Sequence, residues 1–163
     1  MESVMMAGMR KRTVILWTVT IVYTFLIFSN SLQNGTSSGN LSEKVTFFLL
    51  KYVHAAGFSI SFDLFHHYVR KLAHFSEYFL LAVLVLTAVH LTMKQKKYIP
   101  LLSFWLLVPC MDETIQHFIP GRYGSFHDVR IDMAGYLTGL LFTRMLILVI
   151  QDIHKHLKQK ERR

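Results

Sequence analysis

Four long runs poor in charge constrain this chain more than any other feature of it. Residues 13–29 form a 17-residue run with no charged side chain. Residues 72–93 form a 22-residue run whose only formal charge is Glu77, and residues 98–119 a second run of 22 containing only Asp112 and Glu113. Residues 131–150 make a run of 20 with Asp132 and Arg144. At ~1.5 Å per residue, runs of this length cover most or all of a ~30 Å hydrocarbon core. In lipid the backbone must satisfy its own hydrogen bonds, which leaves helices or a closed barrel. Continuous apolar runs fit helices and not the alternating strands of a barrel. The expected fold is therefore all-α: one polytopic membrane domain over residues 1–163, with four transmembrane helices. Arg10-Lys11-Arg12 before the first run also suits a secretory leader. No small-x-small cleavage site follows and the chain stays apolar, so a retained first span is expected.

Composition agrees. Apolar residues make up 52% and charged residues 17%. These proportions exclude a disordered chain, a collagen-like chain and a disulfide scaffold. Cys110, the lone cysteine, cannot close an internal disulfide and is silent about compartment. The formal net charge of +8 fits either nucleic acid or an anionic membrane surface, and its placement decides between them. Eleven Lys and Arg fall in the N-terminal tail, the 94–97 break and the C-terminal tail, against six in the much longer 30–71 and 120–130 segments. The excess puts both termini in the cytoplasm and those two segments outside. The basic tails interleave no aromatics for base stacking, so no nucleic-acid partner is expected and membrane lipids are.

Segment 30–71 opens with Asn, Gly, Ser and Thr through Asn40, the composition of a loop. A helix is expected from Ser42 as N-cap to Ala56, with Gly57 as its stop. Its apolar face is Val45, Phe48, Leu49 and Tyr52, and it is expected to lie on the outer membrane surface or re-enter it.

The acidic residues are not scattered. Glu77 lies toward the outer end of the second span, Asp112 and Glu113 toward that of the third, and Asp128 and Asp132 open the fourth. Intramembrane carboxylates are costly and mark function by default. Three spans bringing them to one depth, with cations nearby, predict a shared polar pocket; ordinary interfacial residues on frayed helix ends are the plainer explanation. Arg70, His74 and Glu77 recur at i, i+4, i+7 on one face, with Lys71 on the neighbouring face expected among lipid headgroups. Asp112 pairs by spacing with Gln116, and Glu113 with His117, so one acid is expected in the pocket and the other toward a neighbouring helix or the rim. Asp128, Asp132, Gly135 and Gly139 share a face on which the two glycines admit close helix packing. The turn Pro120-Gly121-Arg122-Tyr123-Gly124 places Arg122 beside the acids, either ion-paired to Asp128 or Glu113 or free for a ligand.

These motifs resemble those of the VanZ-like family. Residues 70–78, RKLAHFSEY, are similar to its RKxxHFxEY signature; residues 112–122, DETIQHFIPGR, to its DExxQxFxPGR; and residues 128–135, DVRIDMAG, to its DvxxDxxG. Ser31-x-Gln33 matches the polar motif after the family's first span, and the resemblance covers residues 13 to about 150. It implies a bacterial cell-membrane protein, akin to an accessory factor that raises tolerance to teicoplanin without remodelling the D-Ala-D-Ala target.

Two functions from different classes follow. In the first, an outward-facing pocket binds an envelope lipid, a lipid-linked cell-wall precursor or a glycopeptide-type ligand. Gln33, Arg70, Lys71, Gln116, Arg122, Asp128 and Asp132 would hold it, with Arg130 a further cation. In the second, the protein is an intramembrane hydrolase or transferase, with His74 and Glu77 as an oriented base and Asp112 or Glu113 as partner. A purely structural polar network is the third possibility. Donor types suited to zinc or a harder ion occur at His74, Glu77, Glu113, His117 and Asp128. No His-Glu-x-x-His segment occurs and the donors lie on separate helices, so neither a metal nor any other cofactor is expected.

Overall fold

A computed structural model describes residues 2–93 and 97–161. Lys94, Gln95 and Lys96 of the basic break, and Arg162 and Arg163 of the tail, lie outside the described residues. Five helices follow in order: α1 (Glu2–Ser31), α2 (Gly35–Ala55), α3 (Phe62–Thr92), α4 (Tyr98–Phe118) and α5 (Phe126–Glu161). No strand occurs among the described residues. All of these helices except α2 are long and apolar enough to cross a membrane. Helices α1, α3 and α5 outrun the apolar runs that predicted them, because a helix once formed continues through polar residues until a cap or turn stops it, whereas α4 ends one residue inside its run. At ~1.5 Å per residue, α3 and α5 reach well beyond a ~30 Å core.

The tightest packing is α5 on α3. Gly135 lies against the Phe75 carbonyl, and Gly139 against the Phe79 carbonyl and the Ala82 methyl; a Cβ at either position would collide with the α3 backbone. The expected small-residue face therefore packs backbone to backbone. Tyr78, Leu81, Ala82, Val85 and Val89 of α3 form the core with Tyr136 of α5, Val108 of α4 and Ile27 of α1. Polar tethers join the remaining helices at several depths. Trp17 Nε1 donates to Thr92 Oγ1 at 3.1 Å, and the Tyr23 hydroxyl to the Glu77 carbonyl at 3.2 Å. Trp105 Nε1 donates to the Met133 carbonyl at 3.3 Å. Large apolar side chains such as Phe25, Leu102 and Leu141 stay exposed, as a lipid-facing surface requires.

Helix α2 departs from expectation at its start. The segment read as loop is helical from Gly35, not from Ser42. Its N-cap is Asn34, whose side chain accepts from Ser37 N at 2.8 Å, and Gly35 N donates to the Pro120 carbonyl at 3.1 Å. A tertiary anchor thus starts a helix whose first turns have poor intrinsic propensity. Its end falls one residue before the expected Ala56: α2 stops at Ala55, and Gly57 takes a φ of +87°. The Val45, Phe48, Leu49 and Tyr52 face remains exposed. Thr46 and Leu50 are buried instead, and Phe47 stacks on Phe62 at 4.4 Å between centroids.

Candidate functional site

The connections α1–α2–α3 and α4–α5 lie at one end of the bundle, and polar residues from every helix gather there. The last turn of α1 supplies Asn30 and Ser31, the first turns of α2 Ser38 and Ser42. The first half of α3 supplies Arg70, His74 and Glu77, the last turns of α4 Asp112, Glu113 and Gln116, and the first turns of α5 Asp128 and Asp132. The expected convergence of acids from three spans is what the helices make, in two layers.

The deepest layer is ionisable. Asp112, Glu113 and Asp132 are 1%, 5% and 0% exposed. The Ser31 hydroxyl donates to Asp112 Oδ1, and Gln116 Nε2 donates to Asp112 Oδ2 at 3.1 Å. Glu113 Oε2 accepts from Ser125 N at 2.8 Å. His74 Nδ1 stands 3.3 Å from Asp132 Oδ1. Asp112 therefore turns toward α1 and Glu113 toward the α4–α5 turn. Consecutive on one helix, they diverge by about 100°, and the cluster occupies the sector between them. Both acids join it, where only one was expected to face inward.

Above this layer a cavity of about 250 Å³ is lined by Asn30, Gln33, Ser38, Ser42, Arg70, His74, Glu77, Gln116 and Arg122, with Leu41, Val45, Val69 and Ala73 as its apolar wall. A second cavity, of about 230 Å³, shares Arg70, His74 and Arg122 with it and adds His67, Lys71, Gly121, Tyr123 and Asp128. Asn30 Nδ2 donates to Glu77 Oε1 at 3.1 Å, fixing that carboxylate on the wall. Gly121 adopts a φ of +73° where its carbonyl abuts Gly35, which places Arg122 between α2 and the cavity. Burial, and after it the neighbouring Arg70 charge, hold the Arg122 guanidinium below its ordinary pKa. It stays cationic near neutral pH.

Three placements refine the sequence expectations. Lys71 pairs with Asp128. Arg122 pairs with neither Asp128 nor Glu113; its Nη2 donates to the Ser38 hydroxyl. Arg130 is exposed and lines neither of these cavities. His117 is exposed as well, one turn beyond the buried acids. Asn30, Ser38 and Ser42 were not foreseen as site residues. Asn30 was findable as a polar residue at the depth of Glu77, whereas Ser38 and Ser42 depended on a helix start that only the Pro120 contact sets.

A family model described as VanZ/LLP1 matches residues 14–148. No curated protein and no solved structure matches the chain.

Proposed function

Because the chain belongs to the VanZ/LLP1 family, with four helices able to span a membrane, we propose that its cavity binds the anionic head of an envelope lipid or lipid-linked cell-wall precursor. The observation that carries this is the mixed lining. Arg70 and Arg122 line the same space as Leu41, Val45 and Val69. Guanidinium groups match phosphate or carboxylate bidentately, and the apolar residues accept the first segment of a chain. The cavity opens outward in a bacterial plasma membrane with both termini cytoplasmic; the excess of Lys and Arg on the opposite flanks supports that orientation. Sequestering such a precursor, or a glycopeptide that competes for it, would give teicoplanin-type tolerance.

Binding of a polyprenyl pyrophosphate to protein in phosphatidylcholine nanodiscs tests this. Saturable binding is expected, weakened by at least about tenfold in Arg122→Ala, which corresponds to about 1.4 kcal/mol. Equal binding by both proteins overturns the reading.

The approach of His74 to the buried Asp132 carboxylate favours a second reading, hydrolysis or transfer in the same cavity with the imidazole as general base. Release of phosphate or a changed lipid product from that same probe would select it.

A further inference from the structure

Seven buried side-chain polar atoms lack a hydrogen-bond partner among the described residues. Four of the seven are His74 Nδ1, Glu113 Oε1 and both oxygens of Asp132. They lie together: His74, Asp112, Glu113 and Asp132 each offer a donor atom, and these four atoms are within 4.8 Å of one another. Buried polar atoms are satisfied almost without exception, so a knot of orphans converging on one point marks a missing partner. The His74 Nδ1 and Asp132 Oδ1 atoms, 3.3 Å apart, are not aligned as a hydrogen bond. That spacing suits two donors on one ion: ligands at ~2.1 Å stand ~3.0 Å apart when adjacent in an octahedral shell and ~4.2 Å when opposite, or ~3.4 Å apart in a tetrahedral one.

The outward-turned atoms of the same side chains are engaged. Asp112 is held by Ser31 and Gln116, and Glu113 by the Ser125 amide. Outer contacts of this kind orient metal ligands; Glu113 Oε1 is left free to face the ion, and each Asp112 oxygen, accepting one hydrogen bond, keeps a second lone pair for it. Charge agrees. Three buried carboxylates need positive charge at the centre, and Lys71 is occupied by Asp128, outside the cluster.

We propose that His74, Asp112, Glu113 and Asp132 hold one divalent metal ion, tying α3, α4 and α5 together beneath the cavity. One imidazole and three carboxylates form a mixed nitrogen and oxygen set suited to a first-row ion such as Mn²⁺ or Zn²⁺. The site was not foreseen from sequence, where the candidate donors were His117, Asp128 and Glu77 beside His74 and Glu113. It rests on the four side chains and stands whether or not the cavity takes a lipid head.

The test uses full-length protein purified in detergent without chelator, then stripped and titrated separately with Mn²⁺, Zn²⁺ and Mg²⁺. Elemental analysis is expected to find about one ion per chain, and reloading with Mn²⁺ or Zn²⁺ to raise the thermal midpoint. Asp132→Asn and Glu113→Gln are expected to weaken binding by at least about tenfold. Asp63→Asn, on the exposed first turn of α3, is expected to bind as the parent does. If Asp132→Asn does not accumulate, spin-resonance spectra of the Mn²⁺-loaded parent decide. Nitrogen coupling lost in His74→Gln supports the site, and its absence from the parent overturns it. No bound ion and no midpoint shift with any of the three metals also overturns it, as does undiminished binding by both carboxylate variants.

Discussion

The Lys71 ammonium on α3 is paired with the Asp128 carboxylate in the first turn of α5, at the rim of the cavity that both residues line. The side chains are 24% and 15% exposed, between a surface pair and a buried one. Lys71→Ala is expected to lower stability in detergent by about 1–2 kcal/mol, above the surface-pair range and below that of a fully buried pair. A double-mutant cycle with Asp128→Asn, followed by thermal unfolding, checks it. Additive losses would show that the two side chains do not interact.

Gly139 carries the second prediction. Its missing side chain is what lets α5 rest on the Phe79 carbonyl. Gly139→Ala is expected to cost at least about 1–3 kcal/mol through overpacking, and Gly139→Leu to prevent recovery of a monodisperse protein. Size-exclusion profiles and unfolding midpoints of the two variants decide the matter.

The third concerns tolerance. Glu77 is held in the cavity wall by Asn30, and Arg122 by Ser38. Glu77→Gln keeps the shape and removes the charge; Arg122→Ala removes both. Each is expected to abolish any teicoplanin tolerance the parent confers on a sensitive bacterium, at unchanged membrane abundance by immunoblot. Full tolerance in both variants would place the functional surface elsewhere.

Orientation supplies the fourth. In a Cys110→Ser background, a cysteine at Tyr123, which is 90% exposed, is expected to react with a membrane-impermeant maleimide on intact cells. One at Lys155 is expected to react only after permeabilisation. The reverse pattern would turn the cavity toward the cytoplasm.

The four spans and the convergence of the acids were legible in the sequence, because lipid imposes long apolar runs and makes each charge within them conspicuous. The Gly135 and Gly139 face was legible for a related reason: small residues at helical spacing have few other uses in a membrane. Pairings were not legible. Lys71 looked like a headgroup residue because its face is one step from that of Arg70, and nothing local reveals that α5 brings Asp128 to it. The start of α2 was hidden for the same reason, since the donor–acceptor contact from Gly35 to Pro120 spans about half of the chain. The arrangement of Asp112 and Glu113 was misjudged because helical spacing assigns faces relative to an axis, whereas a cluster lying between two faces can use both.

Gly135 abuts the Phe75 carbonyl, and the residues flanking that contact are Asp132, one turn earlier on α5, and His74, one residue earlier on α3. The imidazole-to-carboxylate spacing is therefore set by backbone touching backbone, and not by side chains that can repack. Two helices seated this way cannot slide by fractions of an ångström. The next seating lies a whole turn away, about 5.4 Å along the axis. Over that distance every donor from α5 would leave its partners on α3 together. The α3–α5 half of the buried polar centre should thus behave as a latch with two positions, assembled or apart, and motion that accompanies function at this end of the bundle is expected outside that pair, in α1, α2, α4 or the Pro120–Gly124 turn.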